Sequence, residues 1–114
     1  MESTAKRTLV KSPPELWELA DDLARMEAWM AGLLGTGQPV PIEVTDRDPE
    51  RILAWRASDP AGERARIAIE LAEGGGFGTA VRVTAQHPRA DLDGALEQVL
   101  DELGGAERRP FSGR

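Results

Sequence analysis

Residues 64–72 read RARIAIELA and residues 79–86 read TAVRVTAQ. In the first run Ala65, Ile67, Ile69 and Leu71 take every second position, with Arg64, Arg66 and Glu70 among the residues between them. In the second, Val81 and Val83 alternate with Arg82 and Thr84. A strand turns successive side chains to opposite faces, so this period-two pattern calls for a sheet with one dry face and one wet one. A short connection between two such runs calls for antiparallel pairing. The dry face must then be covered by another part of the chain.

The connection carries Gly74, Gly75, Gly76 and Gly78. A phosphate-binding loop needs glycines that open a helix, with a lysine and a hydroxyl in the P-loop form. Here the glycines lead into a strand, and no lysine follows Gly78 anywhere in the chain. They read as a hairpin turn, where glycine supplies the positive φ that other residues resist.

The cover lies downstream of Pro88. In ADLDGALEQVLDELGG, Leu92, Ala95, Leu96, Val99, Leu100 and Leu103 follow helical spacing, Asp91 stands at the cap and Gly104-Gly105 at the stop. Upstream, KRTLVK (Lys6–Lys11) reads as an edge-like first strand whose lysines discourage further pairing. Ser12-Pro13-Pro14-Glu15 is a capping box with proline at the first helical position. The helix that follows stacks Leu16, Leu19, Leu23, Met26 and Met30 in one stripe, widened by Trp17, Ala20, Ala24 and Trp29. Asp21-Asp22 interrupts it, so one rod and two helices are equally open. GTGQPVP ends the helical region.

Two more strands complete the middle of the chain. Ile42–Asp46 turns Ile42 and Val44 inward; after the turn RDPE, Arg51–Ala57 turns Leu53, Trp55 and Ala57 inward, and SDPAGE makes the next turn. The expected fold is α+β: an antiparallel sheet of about five strands gripping a long C-terminal helix, with one or two helices after the first strand. It forms one domain over residues 1–114, with 105–114 as a flexible tail.

Composition excludes several function classes. The net charge of −6 argues against nucleic-acid binding, which needs a basic face to release counterions. With no cysteine and a single histidine, His87, neither a disulfide nor a zinc site can be assembled in the usual way. No apolar run suits a membrane span, and the expected location is the cytoplasm. His87 precedes Pro88 and reads as a solvated loop residue, with no nucleophile motif to serve. The acid pairs Asp21-Asp22, Asp46/Asp48 and Asp91/Asp93 fall at helix starts or turns, where carboxylates cap or stay solvated rather than act as general acids. Arg56 and Arg82 fall on the wet face, and Arg108 and Arg109 on the tail. No catalytic residue, metal or cofactor is expected.

Several phrases together resemble the START/SRPBCC superfamily, whose helix-grip fold is that of Bet v 1, and within it the bacterial Aha1-like and polyketide-cyclase-like branch. They are KSPPELWELADDLARMEAWM, IEVTDRDPERILAWRA, IAIELAEGGGFGTAVRVTAQ and the terminal helix, in that order. Members usually carry another hairpin where this chain has only GLLGTGQPVP, which implies a shortened sheet of about five strands. The resemblance places Trp29 and Met30 at a cavity mouth, Trp55 on the inner sheet face, and Leu96, Val99, Leu100 and Leu103 on the opposite wall. The first functional expectation is non-catalytic binding or carriage of a small hydrophobic molecule, lined by Trp29, Met30, Leu53, Trp55, Ile69, Val83, Leu96 and Leu100. The alternative is a protein-interaction or regulatory module, co-chaperone-like or homodimeric, covering what the missing hairpin leaves open. An aromatase/cyclase-type enzyme ranks third, because no acid or base falls on an inward strand position.

Overall fold

Ser12 starts the first helix as its capping box requires. Its side chain accepts from the Glu15 backbone N–H while its own backbone N–H donates to Glu15 Oε1 at 3.0 Å. The Glu15 carboxyl is held below the usual range, first by that backbone hydrogen bond and then by the Ser12 hydroxyl. The coordinates are a computed structural model that describes residues 2–35, 40–58, 62, 64–73, 78–87 and 93–104, without the side chains of 73 and 93.

The chain runs β1 (Glu2–Leu9), α1 (Pro13–Ala20), α2 (Leu23–Leu34), β2 (Glu43–Asp48), β3 (Ile52–Ser58), β4 (Arg64–Glu73), β5 (Thr79–Gln86) and α3 (Asp93–Gly104). The five strands form one antiparallel sheet in the order β1-β5-β4-β3-β2. The α+β expectation therefore holds, with α3 packed on the sheet. The first strand is indeed an edge, but it covers Glu2–Leu9 rather than Lys6–Lys11; Val10 lies beyond it and is 70% exposed. Every one of its eight residues opposes one on β5, from Glu2 opposite Gln86 to Leu9 opposite Thr79. That partner rewards pairing beyond the local β-formers.

Asp21-Asp22 settles the choice between one rod and two helices. Asp22 is an N-cap whose side chain accepts from the backbone of Ala24 and Arg25, so α2 starts afresh. The restart overturns part of the expected stripe: Leu23 becomes the first residue of α2 and is 59% exposed, while Leu16, Met26 and Met30 are buried. Gly35 closes α2 in the left-handed conformation, with its N–H on Ala31 O.

The inner sheet face carries Leu53, Trp55 and Ala57 of β3, Ala65, Ile67, Ile69 and Leu71 of β4, and Val81, Val83 and Ala85 of β5, all buried in one cluster with the helices. The alternation holds on β5, and on β3 and β4 except at Ala54 and its cross-strand partner Ala68, which are buried on the outer face. On β2 it breaks: a bulge between Val44 and Asp46 sets Val44 opposite Trp55 but Arg47 opposite Leu53. Asp46 thus shares the outer face with Arg66 and pairs with it at 2.9 Å, while Arg47 reaches Asp21 at the α1–α2 break at 3.0 Å. At the other edge Arg7 of β1 reaches Glu97 and Asp101 of α3. Its guanidinium pKa is raised, chiefly by the Asp101 hydrogen bond at 2.8 Å. An arginine on each edge strand thus ties a helix to the sheet.

Gly78 enters β5 with φ 93°, and an added Cβ there would stand 2.4 Å from the Leu9 carbonyl oxygen. The run leads into a strand and not a helix, as the turn reading requires. Residues 74–77, the Asp91 cap and the 105–114 tail lie outside the described residues.

Candidate functional site

The eight expected lining residues meet in one place. Leu53 of β3, Ile69 of β4 and Val83 of β5 lie directly across from one another in the register, and Trp55 lies two residues along from Leu53. Trp29 and Met30 approach from α2, and Leu96 and Leu100 from α3. None of the eight is more than 3% exposed. Ridges of leucine on α3 meet β-branched side chains on the sheet, the packing that one apolar helix stripe and one dry sheet face impose.

Two of the eight are indoles in contact. Trp29 stacks on Trp55 with ring centroids 6.1 Å apart and planes inclined by 27°. Trp29 Nε1 donates to Glu102 Oε1 of α3 at 2.9 Å, and the other oxygen of Glu102 accepts from Gln98 Nε2 at 3.1 Å. The upper indole is therefore held by the helix that covers the sheet. Trp55 differs: it is fully buried, and among the described residues its Nε1–H has no hydrogen-bond acceptor. Leaving such a donor unpaired away from water costs about 1–3 kcal/mol. Its cross-strand neighbours are Val44 and Ile67, which offer it no polar side chain.

His87 departs from expectation. It is only 7% exposed and is engaged by a partner, not solvated. The cause is parity: Val81, Val83 and Ala85 face inward, and His87 continues their series by one step past the end of β5. That parity is visible in the sequence, while the proline next to His87 favours a loop. Two of the three acid pairs behave as capping and surface groups: Asp22 caps α2, Asp21 and Asp46 pair with arginines, and Asp48 pairs with Arg51 at 3.0 Å, while Asp91 and the Asp93 side chain lie outside the described residues. Arg56 and Arg82 lie on the outer face, paired with Glu43 and Glu70. Among the described residues, no group of three or more His, Asp or Glu could hold a metal ion.

Sequence reasoning missed Arg7, Arg47 and Glu102, which position the helices around the interior. It also missed an open cleft of about 350 Å³ at the β2 end of the sheet, lined by Pro41, Ile42, Glu43, Arg56, Ala57, Ser58 and Arg64. The cleft mixes apolar surface with the Arg56–Glu43 ion pair, and only the register that sets Glu43 opposite Arg56 brings these segments together.

Neither a protein-family model nor a curated protein matches the chain significantly. Solved structures share the fold. A protein from Deinococcus radiodurans is 18% identical with a TM-score of 0.66, and the match covers 100% of both chains. CalU16 from Micromonospora echinospora is 15% identical with a TM-score of 0.61, over 94% of this chain and 74% of CalU16. DynU16, a protein of the dynemicin biosynthetic locus, is 16% identical with a TM-score of 0.55; the match covers 99% of this chain and 48% of DynU16, about half its length. At such identities the likeness is one of fold. No helix among the described residues is long and apolar enough to cross a membrane.

Proposed function

We propose that the chain binds and carries a small hydrophobic molecule between the sheet and α3, as a shortened relative of the START/SRPBCC superfamily, without transforming it. The observation that carries this reading is that the eight apolar side chains, from three strands and two helices, share one buried cluster with the Trp29–Trp55 stack inside it. Small-molecule sites are built from such a lining with few polar groups. The fold shared with DynU16, from a biosynthetic locus, supports a role beside small-molecule chemistry. Carriage is preferred to cyclase-type catalysis because the buried polar side chains among the described residues are Thr79 and His87. The Thr79 hydroxyl is spent on Lys11 O at 2.6 Å, and His87 is already partnered. The second reading, an interaction module, draws on the cleft beside edge strand β2, where Pro41 and Ile42 offer apolar surface to a protein partner or a second copy.

The test compares the native mass of freshly purified protein with its denatured mass. Carriage predicts an excess of a few hundred daltons per chain that is released on unfolding, and uptake of N-phenyl-1-naphthylamine by the stripped protein. A doubled mass without excess favours the interaction module. A bare monomer that leaves the probe dark rules carriage out.

A further inference from the structure

From the two stacked indoles we infer the chemical class of the cargo: an apolar molecule bearing a hydrogen-bond acceptor, such as a ketone or ester oxygen, that takes the proton of Trp55 Nε1. This inference rests on the carriage reading and goes beyond it, because apolar walls alone say nothing about a ligand's polar atoms.

The two indoles differ in one respect that packing does not explain. Trp29 Nε1 has its acceptor in Glu102, a residue of the covering helix. Trp55 Nε1 sits at full burial with none, although phenylalanine would supply an aromatic ring at that position without a donor to satisfy. The other buried side-chain nitrogen without a partner among the described residues, Arg25 Nε, belongs to a half-buried residue and lies on α2 rather than on the sheet. Trp55 is therefore the donor available within the apolar cluster, and it stands among the residues proposed to line the cargo. An indole N–H donates and never accepts, so the complementary group must be an acceptor. A hydroxyl can also lend its oxygen, but it carries a proton that no residue of this lining can take up; a carbonyl brings no such burden. A site with one buried donor discriminates strongly against a ligand that leaves it unpaired.

The experiment uses two probes of nearly the same shape, 9-fluorenone and fluorene, of which only the first has a carbonyl. Both are titrated into intact protein labelled with 15N at its tryptophans, and the indole signals are assigned through single Trp→Phe variants. We expect fluorenone to bind about tenfold more tightly than fluorene, the worth of pairing a buried donor, and to move the Trp55 indole proton downfield while Trp17 stays in place. In Trp55→Phe the advantage of fluorenone disappears and fluorene binding is retained. The wild-type comparison stands on its own if that variant folds poorly. Equal affinities with an unmoved Trp55 signal overturn the acceptor class and leave carriage intact. A Trp55 proton that keeps exchanging with one fixed water during fluorenone binding overturns it too. If neither probe binds, the carriage reading falls and takes the inference with it.

Discussion

Gly78→Ala and Gly94→Ala make the same chemical change and should move stability in opposite directions. At Gly78 the backbone has φ 93°, which costs an L-residue about 1–2 kcal/mol. The new Cβ would also meet the Leu9 carbonyl oxygen at 2.4 Å and its carbon at 3.3 Å, and these are backbone atoms of a paired strand. Relief requires β1 to leave β5 where Leu9 opposes Thr79, which also strains the Thr79 hydroxyl bond to Lys11 O. Each hydrogen bond lost there is worth about 1 kcal/mol. Leu9 is buried against the end of α3, where a Cβ on Gly104 would come within 3.2 Å of its side chain, so the corner also seats the helix. The sum is a loss of about 3–5 kcal/mol. For a domain of 114 residues that lowers the melting temperature by roughly 15 °C. Gly94 lies in the first turn of α3 with no atom of the described residues within 4 Å of its added Cβ, and alanine there should gain a few tenths of a kcal/mol, up to about 0.5 kcal/mol, from helix propensity. Urea unfolding followed by circular dichroism measures both. A loss below about 1 kcal/mol for Gly78→Ala would refute the close approach of β1 to the glycine corner.

Further outcomes follow from the same contacts. Leu100→Ala, at full burial between α3 and the sheet, should cost about 3–5 kcal/mol by calorimetry. Arg7→Met should cost no more than about 1 kcal/mol, because the guanidinium is a third exposed, and the difference should shrink in high salt. Glu102→Ala should shift the Trp29 indole proton in an NMR spectrum and leave that of Trp55 in place, since of the two stacked indoles it is Trp29 that donates to Glu102. The Glu15 carboxyl has a lowered folded pKa, so its stabilising effect is present above the unfolded value near 4.3 and is lost as pH falls through the folded one. Ser12→Ala should raise the Glu15 pKa only part of the way, in an NMR titration, because the larger cause is the Ser12 backbone N–H.

How much of this was readable in advance differs by element. The strands β3, β4 and β5 were legible because Leu53, Ile69 and Val83 each belong to a series of large apolar side chains at every second position, and α3 because its leucines keep one helical face. The eight interior residues came together for the same reason: periodicity states which face is dry, and the dry faces have only each other to meet. Edge strand β2 was misread beyond Val44, because a bulge shifts parity by one and no local signal announces it. That shift is what turns Arg47 toward Asp21. The buried state of His87 was lost to a plausible loop reading, although its parity with Ala85 was visible.

The sequence by itself determined the class of the fold, the capping box at Ser12, the restart of α2 at Asp22 as one of two open choices, and the identity of the apolar interior. These rest on neighbours within a few residues, where backbone geometry alone sets the period. Only the tertiary structure decided that Arg7 binds α3, that Glu102 satisfies Trp29, and that Trp55 is left without an acceptor. Such pairings join residues up to 94 positions apart, and their geometry depends on how the helices settle on the twisted sheet.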